Sequence, residues 1–248
     1  MNGGFLFGHF SLHAPGKDNE DSLNCTFLPD GSLLAAVADG VGGNNGGDIA
    51  SSLAVDSLFA LASQASPVPL NLAFTLVAKK IKEVGLKDLL TSEMATTLSA
   101  CHVTESGKCT VVHAGDSRIY HLRGTGIQQL TVDQTEVAAL IEAGILSPQQ
   151  ARTYPRRTVL SSALSVKGKL KIFETMVDLL PGDRLLLLTD GVYRLVSKKT
   201  IRDLSVGSGT VNDLVRGLHD AVELNNDDDA SAIVFEFQSS HVMDSTSN

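Results

Sequence analysis

The spacing of apolar positions along the chain changes several times, and each change marks an element. Residues 24–28 and 32–38 are two short apolar runs separated by Pro29-Asp30-Gly31, which predicts a hairpin. From Asp48 the period becomes helical, with Ile49, Leu53, Ala54, Leu58 and Leu61 recurring on one face. Beyond a break at 67–69, Leu70, Phe74, Val77, Ile81 and Val84 repeat that spacing. The stretch 95–127 reads as a meander, its apolar runs at 97–103, 110–114 and 119–122 punctuated by Glu105-Ser106-Gly107, Gly115-Asp116-Ser117 and Arg123-Gly124-Thr125-Gly126. A short helix is expected around Val137, Leu140 and Ile141, stopped by Gly144, and Ser147-Pro148 suits an N-cap followed by proline in the first turn. Two more strands, 170–177 and 184–189, are expected to meet across Pro181-Gly182-Asp183. A helix through Val211, Leu214, Val215, Leu218 and Val222 precedes a last strand at 231–237, and the tail 239–248 reads as polar and flexible. Strands with antiparallel neighbours and helices in pairs predict an α+β layered fold rather than βαβ alternation. No internal repeat or linker divides the chain, so residues 1–238 are read as one domain.

Charge and cysteine content exclude several classes of function. Acidic side chains outnumber basic ones 28 to 20 in 248 residues, a formal net charge of −8, which argues against a broad polyanion-binding surface and hence against nucleic acid as a partner. No apolar run approaches the length of a membrane span, and the first ten residues carry no Lys or Arg ahead of their apolar positions, so the expectation is no membrane and a cytoplasmic location. Cys25, Cys101 and Cys109 form no CxxC pair and read as small buried thiols in a reducing compartment. Nothing resembles a coiled coil or a long exposed apolar stripe, and a monomer is expected.

Two nearly all-apolar runs end alike, 33–38 in Asp39-Gly40 and 185–188 in Thr189-Asp190-Gly191. One Asp-Gly is an ordinary turn signal. Two of them, each closing a strand apolar enough to be buried on both faces, place carboxylates where desolvation is costly unless a cation or hydrogen-bond donors compensate. Other acids stand at similar boundaries: Asn19-Glu20-Asp21 enters the first predicted strand, Asp116 lies in a meander turn, and Asp227-Asp228-Asp229 precedes the last strand. An oxygen-only set of this kind favours a hard divalent ion over zinc. The seven histidines show neither HExxH nor any paired spacing and read as structural. The glycine-rich stretch 40–47 opens a helix but lacks the GK[ST] of a P-loop, and no GxSxG elbow is present. Residues 134–163 hold Arg152, Arg156 and Arg157, the one locally basic part of the chain.

Taken in order, Asn19-Glu20-Asp21-Ser22, Val37-Ala38-Asp39-Gly40-Val41-Gly42-Gly43, Ala95-Thr96-Thr97-Leu98, Val112-His113-Ala114-Gly115-Asp116-Ser117-Arg118, Leu130-Thr131-Val132-Asp133, Leu188-Thr189-Asp190-Gly191-Val192 and Asp228-Asp229-Ala230-Ser231 resemble the motif series of the metal-dependent protein phosphatases, the PP2C or PPM family, in its bacterial form. The resemblance implies a four-layer α-β-β-α sandwich and hydrolysis of phosphoserine and phosphothreonine monoesters by a metal-activated water. It implies two core Mn²⁺ or Mg²⁺ ions, bridged by Asp39, with the Gly40 carbonyl on one and Asp190 and Asp228 completing the other. Asp21, with Glu20, would hold water around the ions, and Asp116 would share a third, weaker site with Asp190. Residues 134–163 resemble the flap beside the active site, and the implied partner is a phosphorylated protein, opposing a Ser/Thr kinase. Three positions depart from the family pattern: Gly16 stands where an arginine grips phosphate, leaving Lys17 as a point charge; Val41 replaces a histidine common in eukaryotic members; and Asp228-Asp229 replaces the usual Asp-Asn. The substitution at Gly16 motivates an alternative reading, a binding or regulatory module that keeps the fold with little or no turnover.

Overall fold

The computed structural model describes residues 4–41, 46–64 and 69–238. The middle of the glycine-rich stretch, most of the break before the second helix and the polar tail lie outside the described residues. The strands are β1 (Phe5–Leu12), β2 (Asp21–Phe27), β3 (Leu33–Val41), β4 (Ala95–Thr96), β5 (Leu98–Val103), β6 (Lys108–Ala114), β7 (Arg118–Arg123), β8 (Gly126–Gln129), β9 (Leu164–Ser165), β10 (Phe173–Asp178), β11 (Arg184–Leu188) and β12 (Ala230–Phe237). They form two antiparallel sheets, one in the order β1-β12-β11-β7-β8, the other β10-β6-β5-β3-β4-β9 with β2 also paired to β3. Helices α1 (Gly47–Ala62) and α2 (Leu70–Gly85) follow the hairpin; α3 (Glu136–Glu142) and α4 (Pro148–Ala151) lie between β8 and β9; α5 (Asp190–Tyr193), α6 (Lys198–Gly207) and α7 (Val211–Glu223) lie between β11 and β12.

Strand phase explains why two runs contain almost no polar residue. In β3, Leu33, Ala35 and Val37 meet Leu185 and Leu187 of β11 in a core between the sheets that also holds Phe5, Val111, Ile233 and Phe235. The alternate residues Leu34, Ala36 and Ala38 pack under α1 and α2 with Leu58, Phe74, Val77 and Ile81. Leu186 and Leu188 pack on the opposite side with Ile201, Leu214, Leu218 and Val222. Each strand therefore has two apolar faces to cover, and four layers are the result. Burying a leucine fully contributes roughly 1.5–3 kcal/mol, so these strands are the stiffest part of the frame.

Two pairings differ from the sequence expectation. β10 and β11 flank Pro181-Gly182-Asp183 but belong to different sheets: β10 pairs with β6, and β11 lies between β12 and β7. β10 alternates exposed and half-buried residues and suits an edge, whereas β11 is buried throughout and requires neighbours on both sides. The expected meander is likewise broken at Gly115-Asp116-Ser117, because β6 and β7 lie in opposite sheets and that turn crosses from one to the other. β1 and α6 go beyond the sequence expectation; β1 is an edge strand, and α6 buries only Ile201 and Ser205. The short helices α3 and α4 follow the sequence closely, whereas the one-turn α5 stands where only an Asp-Gly turn is expected. Ser147 caps α4 in a reciprocal capping box with Gln150, and Pro148 stands in its first turn.

Outside the rim where the Asp-Gly pairs lie, one buried polar cluster holds the Pro181-Gly182-Asp183 turn. Asp183, 2 % exposed, accepts from His121 Nε2 at 2.9 Å, from Arg123 Nη2 at 2.6 Å and from the Leu180 amide at 2.8 Å. Removing that carboxylate leaves buried donors without an acceptor. Asp183→Ala is expected to cost about 3 kcal/mol or more, read as a lower urea midpoint and a fall in Tm of about 6 °C or more.

Candidate metal centre

Both apolar strands end at the same rim. The inter-sheet phase of Leu33, Ala35 and Val37 continues to Asp39, and its cross-strand partner in β2 is Asp21, so two carboxylates stand side by side on one face. The end of β3 is anchored by backbone contacts. The Asp39 amide donates to Thr97 Oγ1 at 2.9 Å, and its carbonyl accepts from the Thr97 amide at 2.9 Å and Thr96 Oγ1 at 3.0 Å. Gly40 follows because nothing larger fits: a Cβ there would lie 2.2 Å from the Gly47 carbonyl oxygen and 2.7 Å from that of Glu20. The second Asp-Gly has the same cause, since a Cβ on Gly191 would lie 2.1 Å from the Asp229 carbonyl oxygen. Steric demand thus supplies a reason for both glycines that the sequence did not.

Asp190 opens α5 one residue beyond Thr189, and Thr189 joins the two sheets. Its hydroxyl donates to Asp21 Oδ2 at 2.8 Å and accepts from the Ser231 amide at 2.9 Å. Asp116, in the crossover turn, is buried beside Asp190, Arg118 and Tyr193. That turn is tied to the end of β3 through Ser117 Oγ and Thr97 Oγ1, 2.8 Å apart. Arg118 is itself held by Asp133 at 2.6 Å and stacks over the Tyr193 ring at 3.8 Å.

The neighbouring acids 228 and 229 divide their roles. Asp229 accepts from the Ala14 amide at 2.8 Å through Oδ1 and from the Glu20 amide at 2.7 Å through Oδ2, so its carboxylate fastens the turn before β2 to the loop before β12. Asp228 Oδ1 accepts from the Asp229 amide, and its Oδ2 lies 3.1 Å from Arg194 Nη1. The same Arg194 nitrogen lies 3.3 Å from Asp190 Oδ2. Sequence reading passed over Arg194, Tyr193 and Thr189; the i,i+4 spacing of Asp190 and Arg194 was the available signal. Gly16 occupies the position after Pro15 in a turn closed by the Lys17 amide and the Ala14 carbonyl at 3.2 Å, with φ +78°. An arginine in that conformation would be strained.

Burial and mutual repulsion govern the electrostatics. The Asp39 carboxyl is driven well above the usual range, first by desolvation and then by Asp21, Asp190, Asp116 and Asp228. Desolvation also raises Asp21 and Asp116, each to about 7, and raises Asp190, to which Asp228 adds repulsion. Glu20, beside Asp229, Asp48 and Lys17, is pushed up less completely buried. Asp21 Oδ1 is buried with no hydrogen-bond partner among the described residues. Oxygen donors alone, charge repulsion that Arg194 relieves only at Asp190 and Asp228, and an orphaned carboxylate oxygen suit hard divalent ions. The set does not converge on one point: among the described residues, only His219, Asp220 and Glu223 on the exposed face of α7 bring three ligand atoms within 4.8 Å of one another. Carboxylates spread across two sheet ends suit more than one ion, with water filling the remaining positions. The buried histidines stay outside this set. His113 is bound by Ser99 and the Val132 carbonyl, and burial lowers its pKa to about 4.

Beside the rim, residues 134–161 form a loop closed at its base. The Gln134 carbonyl accepts from the Ser161 amide at 2.8 Å, and Gln134 Oε1 accepts from the Gly115 amide at 3.0 Å, next to Asp116. Glu136 accepts from the Tyr154 hydroxyl at 2.7 Å and pairs with Arg156 at 2.7 Å, so Arg156 is spent inside the loop while Arg152 and Arg157 show no such pairing.

The raised carboxyls give a sign to the pH dependence of stability. Asp21 and Asp116 hold their protons to about 7 in the folded chain against an ordinary 3.8, so stability without metal is greatest below about pH 4 for these groups and is lost as pH rises through 7. In EDTA, Tm is expected to fall by about 5 °C or more between pH 5 and pH 8. Excess Mn²⁺ is expected to reverse that fall in a thermal melt.

Residues 11–226 match the model of the family described as protein phosphatase 2C. The serine/threonine phosphatase stp of Listeria welshimeri is 32% identical over 194 residues, spanning 75% of this chain and 77% of that protein. The crystal structure of the Mycobacterium tuberculosis serine/threonine phosphatase PstP/Ppp superposes with a TM-score of 0.83 at 28% identity, covering 95% of this chain and 99% of that one. The catalytic domain of PstP in complex with two manganese ions superposes with a TM-score of 0.81 at 26% identity, covering 95% and 99%. With the acids of both sheets gathered at one rim and the family match running across nearly the whole described chain, this protein belongs to the protein phosphatase 2C family of metal-dependent phosphatases.

Proposed function

We propose that this chain is a metal-dependent protein serine/threonine phosphatase that hydrolyses phosphoserine and phosphothreonine monoesters. The observation that carries this reading is the convergence of Asp21, Asp39, Asp116 and Asp190 on one rim, their carboxyls held above the ordinary range by burial and by one another, in a member of this family. In this reading Asp39, the Gly40 carbonyl, Asp190 and Asp228 would hold two divalent ions, Mn²⁺ or Mg²⁺. Asp21 and Glu20 orient the surrounding water, and Asp116 shares a third, weaker site with Asp190. Asp228 is the ligand of its pair because the Asp229 carboxylate is already committed to the amides of Ala14 and Glu20. When bound, the ions supply an activated water in line with phosphorus and positive charge against the phosphoryl oxygens.

The protein's own residues position and exclude. Thr189 holds Asp21 against the end of β11, and Thr97 with Ser117 fixes Asp39 and the Asp116 turn relative to each other, so the acids sit on strand ends rather than on free loops. Lys17 stands near Glu20 and serves as the phosphate contact that Gly16 does not provide. Residues 134–163 act as the flap, their exposed Arg152 and Arg157 facing a phosphorylated protein that a Ser/Thr kinase has modified. Cys25, Cys101 and Cys109 are free thiols, which supports a cytoplasmic enzyme, and no helix among the described residues is long and apolar enough to cross a membrane. A monomer without nucleic-acid partners completes the reading.

Three measurements test it. Release of phosphate from p-nitrophenyl phosphate and from a phosphothreonine peptide is expected to require Mn²⁺ or Mg²⁺ and to stop in EDTA. Asp39→Asn and Asp228→Asn are each expected to lower kcat/KM about a hundredfold or more, whereas Asp229→Asn mainly lowers Tm; parent-like turnover by Asp39→Asn would falsify the assignment. Lys17→Ala is expected to raise KM about three- to tenfold with kcat little changed, as loss of one charge-assisted contact to bound phosphate predicts.

A further inference from the structure

Arg194 is not accounted for by the reading above. Its Nη1 alone lies within hydrogen-bonding distance of two carboxylates from separate segments, 3.3 Å from Asp190 Oδ2 at the start of α5 and 3.1 Å from Asp228 Oδ2 in the loop before β12. We infer that Arg194 is a tethered counter-cation that holds the Asp190–Asp228 site closed in the metal-free protein and must be displaced when a divalent ion enters. The inference rests on the assignment of Asp190 and Asp228 as metal ligands.

The geometry carries it in three steps. Asp190 and Arg194 are four residues apart, the first residue and the C-cap of a one-turn helix, so the guanidinium is held over the carboxylate by the backbone and is present at high effective concentration. Next, Mg²⁺-sized ions take carboxylate oxygens at about 2.0–2.1 Å, and a nitrogen already bonded to both oxygens occupies the directions through which such an ion approaches. Finally, the arginine side chain is 41% exposed, so it has solvent to move into once the oxygens are taken. Asp227 adds its charge on the same side and stabilises the closed arrangement. No other protein cation is bonded to Asp190 or Asp228 among the described residues. The position therefore decides how much of the acid cluster's repulsion is relieved before metal arrives, and how tightly the ion shared by Asp190 and Asp228 binds.

The test is Mn²⁺ binding by titration calorimetry on the full chain, with the parent, Arg194→Met, Arg194→Lys and Asp228→Asn, alongside thermal melts in EDTA at pH 7.5. Arg194→Met keeps the length of the apolar stem and removes the competing charge. It is expected to bind Mn²⁺ about tenfold more tightly at the site that Asp228→Asn weakens, the loss of one competing charge-assisted hydrogen bond. Without metal, the same variant is expected to melt below the parent, because the carboxylates lose their only bonded cation. Arg194→Lys, which restores a tethered charge, is expected to return both values toward those of the parent. Mn²⁺ affinity in Arg194→Met that is equal to or weaker than the parent's overturns the inference while leaving the metal centre intact. Absence of Mn²⁺ binding by the parent and Arg194→Met alike overturns the metal assignment and this inference with it. A Mn²⁺ isotherm for Asp228→Asn that matches the parent's at every site would also overturn it, since the contested oxygen would not be a ligand.

Discussion

Like charges buried together at the rim between two sheets set the terms for the rest of this structure. Asp39 is surrounded by Asp21, Asp190, Asp116 and Asp228, and desolvation holds its carboxyl far above the usual range. A frame that forces such a cluster must be rigid, because any loosening would let the acids separate and recover their hydration. The rigidity comes from β3 and β11, whose both faces are covered, one by the opposite sheet and the other by helices. On the proposed assignment of these acids as metal ligands, cation binding would offset the cost of assembling them and so couple to the integrity of the fold.

The contacts that hold the cluster are mostly small and local. Thr189 spans from the β11 end to Asp21, Thr97 receives the Asp39 amide and touches Ser117, and Asp229 draws the turn at Ala14 and the Glu20 amide toward the loop before β12. None of these side chains carries the chemistry. They fix the acids relative to one another, and phosphate-monoester hydrolysis, for which accelerations of up to ~10²¹ are known, depends on such positioning as much as on charge. By contrast, the loop 134–161 is joined to the frame mainly at Gln134 and is stiffened internally by Glu136, Tyr154 and Arg156. That contrast separates a fixed centre from a segment free to differ in shape.

Much of this was legible before the structure. The two apolar runs ending in Asp-Gly, the acids before β2 and β12, and the helical periods of α1, α2 and α7 all carry local signals, and local signals survive translation into structure because strand phase and helix period are properties of the chain itself. Between the neighbours Asp228 and Asp229 the resemblance favours Asp228, but that the Asp229 carboxylate is taken by the amides of Ala14 and Glu20 has no local signal. The partner of Asp190 was also missed, since a one-turn helix has no period to announce that Arg194 lies over its first residue.

Sequence alone determined that this chain would have buried strands delivering carboxylates and helix pairs to cover them. Tertiary structure decided which strands are neighbours. Turns at Gly115-Asp116-Ser117 and Pro181-Gly182-Asp183 look like hairpins in one dimension, yet each carries the chain from one sheet to the other. A turn dipeptide specifies a change of direction, whereas the sheet a strand joins depends on how many of its faces must be buried, and that is settled only when all the apolar surfaces compete for one another. The same competition brought Asp116 beside Asp190 and made scattered acids into one site.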